Sequence, residues 1–82
     1  MKVIVTKQAQ KDLAKLSEEI RQRVYAELSK FAERKVVDLK KLVGKSDLFR
    51  IRVGNYRVLI SVSKETITVY ALRVLHRRDT YR

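Results

Sequence analysis

Near the end of the chain, "VLHRRDTYR" sets an imidazole and a phenol among guanidinium groups: His76, Arg77, Arg78, Tyr81 and Arg82 fall within seven residues. Histidine takes or gives a proton near neutral pH, and tyrosine does so when neighbouring cations lower its pKa. Upstream, "LFRIRVGNYRVLISV" carries Arg50, Arg52 and Arg57, with no acid between Leu48 and Lys64. Guanidinium forks match phosphate oxygens and stay charged at any working pH. The two stretches therefore hold groups for gripping phosphates and for moving a proton. Plainer accounts stand beside this one. His76 could cap or pack, Tyr81 could cover the core edge, and the strand arginines could be a solvated face lying along apolar neighbours.

The strand arginines are positioned by alternation. With Gly54-Asn55 as a two-residue turn, Val53 faces Tyr56, Arg52 faces Arg57, Ile51 faces Val58 and Arg50 faces Leu59. The apolar residues then share one sheet face and the arginines the other. Like charges directly opposite one another cost roughly 0.2–1 kcal/mol, so a face needed only for solubility would alternate signs. A face built to hold phosphates is the reading that follows. Tyr70 and Leu72 of the next strand fall on the same face by this count and offer a surface for base stacking.

The remaining elements must support that sheet. "MKVIV" reads as a short first strand leading to Thr6 as an N-cap. Ala9, Leu13, Leu16, Ile20, Val24, Leu28 and Phe31 then recur at helical spacing. Ser17 followed by Glu18 and Glu19 marks a second helix start, splitting the segment into a helical hairpin. Residues 36 to 47 lack a clean period and read as a connector with one extended turn near Leu39 to Val43. From Leu48 the period is two, and Ile67, Val69 and Ala71 continue it after a turn at Lys64-Glu65. The expected fold is α+β, a small twisted antiparallel sheet with the N-terminal helical hairpin packed on one face. Its order is β-α-α-β-β-β, in a single domain spanning residues 1–82.

Composition bounds the function. The 82 residues carry no cysteine, and a net charge of +11 points to a polyanionic partner. No apolar run approaches a membrane span, and the opening residues lack the apolar core of a signal peptide, so the expected location is the cytoplasm with no membrane partner. The carboxylates are scattered and no HExxH, P-loop or GxSxG occurs, so neither a metal nor another cofactor is expected.

The combination of "RIRVGNYRV" with "HRRDTY", after a basic helical hairpin opened by "KQAQKDLAKL", resembles the RelE/ParE superfamily of type II toxin-antitoxin toxins over nearly the whole chain. The RelE branch looks closest. That resemblance implies a ribosome-dependent endoribonuclease that cuts mRNA in the A site without a metal and is held inactive by an acidic, RelB-like antitoxin. It implies catalytic positions at Arg57, Arg77 and Tyr81, with His76 beside them as a further candidate. RNA-binding positions would be Arg50, Arg52, Arg73 and Arg78. The second-strand cations are arginines where some members have lysines, and an arginine essentially cannot release a proton, which leaves the general acid unassigned. Two alternatives remain at this level: a ParE-like gyrase inhibitor and a basic RNA-binding module without catalysis.

Overall fold

A computed structural model describes residues 1–44 and 47–78. The elements run β1 (Lys2–Val5), α1 (Lys7–Ala14), α2 (Glu18–Ala32), β2 (Leu39–Lys41), β3 (Leu48–Val53), β4 (Tyr56–Ser63) and β5 (Thr68–His76). They form one sheet of order β1-β5-β4-β3-β2. The α+β arrangement and element order match the expectation from sequence, with two additions. β1 lies parallel to β5, from Lys2 opposite Thr68 to Val5 opposite Ala71, so the sheet is mixed. The segment read as a connector contributes β2, antiparallel to β3.

Each helix starts where a hydroxyl can take an orphan N–H. The Thr6 hydroxyl accepts from the Ala9 N–H at 3.2 Å and donates to the Leu72 carbonyl at 3.2 Å, which ties the start of α1 to β5. Ser17 accepts from the Ile20 N–H at 3.3 Å and opens α2. Such caps are worth about 1 kcal/mol each. The Arg21 guanidinium reaches back to the Leu16 carbonyl at 2.5 Å, so α2 supplies the donor that the end of α1 lacks.

One apolar cluster holds the layers together. Ala9 and Leu13 come from α1 and Val24 and Leu28 from α2, while Ile51, Val53, Val58, Ile60, Val69, Ala71 and Val74 come from the sheet. The sheet residues in that set all face the helices, and the opposite face carries no helical layer among the described residues. Leu28 is fully enclosed, and Leu28→Ala should cost about 2–5 kcal/mol through lost burial and the cavity left behind. The shift in urea midpoint measures this.

Two details of β5 depart from simple alternation. The pairing of β4 with β5 slips between Leu59 and Ile60: Leu59 lies opposite Arg73 but Ile60 lies opposite Ala71. Leu72 is the extra residue of this bulge, so Arg73 takes the place on the open face that strict alternation gives to Leu72. At the other end, β5 begins at Thr68 rather than at Ile67. Ile67 is 56% exposed and has a φ of 51°, closing a four-residue turn between Ser63 and Thr68 in place of a two-residue Lys64-Glu65 turn.

Beyond Val5 the β1 strand leaves the sheet, and the edge of β5 needs another acceptor. Asp12 of α1 supplies it. Its carboxylate accepts from the Val74 N–H at 2.9 Å and pairs with Arg73 Nε at 2.8 Å. Burial pushes the Asp12 carboxyl up, but hydrogen bonds from Arg73, the Val74 N–H and Gln8, with the Arg73 charge, bring it below the ordinary carboxylate value. A carboxyl lowered by folding stabilises the fold above the ordinary carboxylate range and loses that contribution as pH falls through its folded value. Asp12→Asn should therefore lower the urea midpoint clearly at pH 7, and the gap from wild type should close in strong acid.

Candidate nucleic-acid interface

The open face of the sheet is organised in rows set by the strand register. Arg52 lies directly opposite Arg57, and Arg50 opposite Leu59. On the other side of β4, Leu75 faces Arg57 and Arg73 faces Leu59. The Arg77 N–H donates to the Asn55 carbonyl at 2.6 Å, which continues the β5 ladder past its last residue and sets Arg77 beside the Gly54-Asn55 turn. Arg57 thus has Arg52 across from it and Arg50, Arg73 and Arg77 at its diagonals, the cross-strand positions within reach of long side chains. Five cations share one end of one face.

Arg57 is the centre of this arrangement and is only 5% exposed. Arginine is almost never so deeply buried without a strong electrostatic reason. Arg50 adds to the point, because its Nε is buried and has no hydrogen-bond partner among the described residues. An unsatisfied buried donor costs about 1–3 kcal/mol, which an incoming acceptor would recover. The Arg52 side chain is exposed, and its guanidinium has no hydrogen bond or ion pair among the described residues. The register thus gathers cations around a guanidinium that the fold buries.

Other members of the predicted set have different surroundings. Arg73 stands at the β5 edge with its guanidinium on Asp12, which neutralises part of its charge. His76 lies opposite Tyr56 and in phase with buried Val74, on the helix side of the sheet rather than with Arg57. Its ring meets Tyr56 edge-on at 5.1 Å between centroids, and its Nδ1 accepts from the Arg78 N–H at 3.2 Å. That hydrogen bond fixes the turn carrying exposed Arg77 and Arg78. Tyr81 lies outside the described residues.

Sequence reasoning missed Lys40, which lies opposite Arg50 and extends the same row by one more cation. β2 is exposed along its whole length, so it carries no apolar alternation from which pairing could be read. It is held by backbone bonds instead, from the Arg52 N–H to the Asp38 carbonyl at 2.9 Å and from the Leu42 N–H to the Leu48 carbonyl at 3.0 Å. The Asp38 backbone consequently flanks the arginine row. No helix among the described residues is long and apolar enough to cross a membrane.

The chain as a whole has known relatives in sequence and fold. The family model of the ParE toxin of type II toxin-antitoxin systems matches residues 3–81. Toxin RelE3 of Methanocaldococcus jannaschii is 38% identical, over 99% of this chain and 96% of its own length. Among solved structures, the RelB-RelE antitoxin-toxin complex from Methanococcus jannaschii superposes with a TM-score of 0.79 at 32% identity, covering 95% of this chain and 94% of the other. The RelBE2 toxin-antitoxin complex from Mycobacterium tuberculosis does so with a TM-score of 0.74 at 34% identity, covering 93% and 96%.

Proposed function

From the chain's membership of the ParE toxin family of type II toxin-antitoxin systems, with RelE toxins as its relatives, we propose that it is a ribosome-dependent endoribonuclease that cleaves mRNA in the A site. The observation that carries this reading is the burial of Arg57 at the centre of an arginine face. A gyrase-directed surface has no evident need for a guanidinium sunk among four others, whereas a phosphoryl group gaining charge does.

The reaction is attack by a ribose 2′ oxygen on the adjacent 3′ phosphorus. A new P–O2′ bond forms and the P–O5′ bond breaks, leaving a 2′,3′-cyclic phosphate and a free 5′ hydroxyl, with no metal in the step. Arg57 and Arg77 hold the non-bridging oxygens as charge builds on them, and donors fixed before the reaction are worth more than donors that must reorganise during it. Arg50 and Arg52 grip neighbouring phosphates and align the strand, joined by Lys40 on the same row. Arg73 and Arg78 add to the field along the strand's path.

Tyr81 takes the 2′ proton as the general base. The leaving 5′ oxygen takes a proton from water, since the arginines have none to give. His76 faces away from Arg57 and acts through the Arg78 N–H as a positioning residue for the turn. Ribosomal surroundings complete the geometry by presenting the message in one conformation.

The same reading gives the protein a partner. The two relatives solved at 32% and 34% identity are both complexes with an antitoxin, and a chain of net charge +11 with an open cationic face calls for an acidic one. We assign it a RelB-like antitoxin with an acidic segment that orders on binding. The cytoplasm is the compartment in which both partners and ribosomes meet. Co-expression tests this: the toxin alone should arrest growth, and its acidic neighbour should relieve the arrest. Harmless expression of the isolated chain would contradict the assignment.

A further inference from the structure

A second cationic surface lies on the helix side of the Gly54-Asn55 turn. Residues 23, 26, 27 and 30 form one stripe of α2 at i, i+3, i+4 and i+7. In the fold, Arg23, Ala26, Glu27 and Lys30 line an open groove of about 300 Å³ whose other wall includes Arg52 and Gly54. The Arg23 guanidinium lies over the turn so closely that its Nη1 and Nη2 would stand 3.2 and 3.3 Å from a Cβ at position 54. Gly54 also has a φ of 58°, so the turn needs glycine both for its backbone and for the guanidinium laid across it.

The Arg23 guanidinium makes no hydrogen bond or ion pair among the described residues, and neither does that of Arg52 across the groove. Lys30 is held at 3.3 Å by Glu27, which is the only acid in the lining. With Arg52 engaged by the message, Arg23 and Lys30 against Glu27 still leave the groove a net positive charge, and the donors of the Arg23 guanidinium are uncommitted. A guanidinium held against a glycine by packing alone is poised for an acceptor from outside.

We infer that this groove binds a phosphate of the ribosomal RNA that surrounds the message, as a docking contact separate from the face that holds the message. The inference rests on the ribosome-dependent reading above. Arg50 and Arg57 occupy the open face of the sheet, whereas Arg23 belongs to a helix packed on the opposite face. Arg23 stands on the other side of the sheet from Arg50 and Arg57, which makes a second RNA segment the fitting occupant of the α2 stripe. The two surfaces meet at Arg52, so one docking contact sets the register of the message relative to Arg57. Structured RNA is the fitting class, because the groove offers charge and hydrogen-bond donors without an aromatic platform for an unpaired base.

The test is binding of fluorescently labelled protein to ribosomes programmed with a defined message and an empty A site, over a series of salt concentrations. Arg23→Ala combined with Lys30→Ala should weaken binding about tenfold and make the salt slope shallower by about one to two phosphate contacts. Lys64→Ala removes an exposed cation at the far end of β4 and should change affinity less than twofold. Gly54→Ala, which displaces Arg23 without removing charge, should reproduce a substantial part of the loss. Unchanged affinity in the double variant, or an equal loss with Lys64→Ala, overturns the inference while leaving the cleavage reading intact. Wild-type protein that neither binds nor cuts on ribosomes overturns both.

Discussion

Arg57→Ala should lower the rate of A-site cleavage about 10²–10³-fold, the cost of removing one preorganised donor from a developing oxyanion. Arg57 is the one cation flanked directly by Arg52 and diagonally by Arg50, Arg73 and Arg77, and it is the most deeply buried of them. Its place in the middle of the sheet fixes the guanidinium before substrate arrives, so little reorganisation accompanies the reaction. Arg57→Lys keeps the charge but loses the fork, and should recover only part of the rate. Ribosome binding should fall far less than turnover in both variants, because the surrounding arginines still attract the backbone. Single-turnover cleavage at saturating ribosomes separates the two effects. Fold integrity is checked by the urea midpoint, which need not fall, since the substitution also removes like-charge repulsion against Arg52.

Tyr81→Phe should reduce the cleavage rate by about 10²–10⁴-fold, the span typical for loss of a positioned proton acceptor. The substitution keeps the ring and removes only the hydroxyl. If Tyr81 merely covered an apolar edge, phenylalanine would serve as well and activity would persist. His76→Asn offers a contrast: its side-chain carbonyl can still accept from the Arg78 N–H as Nδ1 does, so activity should be largely retained.

Much of this arrangement was legible in the residues alone. The Gly54-Asn55 turn fixed the register of β3 against β4, and Arg52 opposite Arg57 follows from the period of two. Thr6 and Ser17 announced both helix starts because a hydroxyl ahead of an apolar stripe has a specific hydrogen bond to make. Other features carry no local signature. The bulge at Leu72 arises from the meeting of β4 and β5, and nothing in the alternation of β5 by itself reveals it. β2 is an exposed edge strand defined by backbone partners, and so Lys40 went unseen. The burial of Arg57 is likewise a tertiary fact. Alternation alone puts three arginines on one face, and only the sheet separates the buried centre from its exposed neighbour Arg52.

Asp12 shows the same boundary from another side. Its spacing on α1 marks a polar position and nothing more, yet its carboxylate closes the open edge of β5 and engages Arg73. One cation of the predicted RNA-binding set is thereby also a structural member, and Arg73→Ala should lower stability as well as RNA affinity, whereas Arg52→Ala should lower RNA affinity without lowering stability.

The central claim is tested most directly by primer extension on a defined mRNA in programmed ribosomes with an empty A site, using the purified wild-type protein. The account predicts one discrete cut within the A-site codon, with a 2′,3′-cyclic phosphate on the upstream fragment. An intact message, accompanied by inhibition of gyrase supercoiling at the same protein concentration, would contradict it and make the arginine face a contact surface for a protein target.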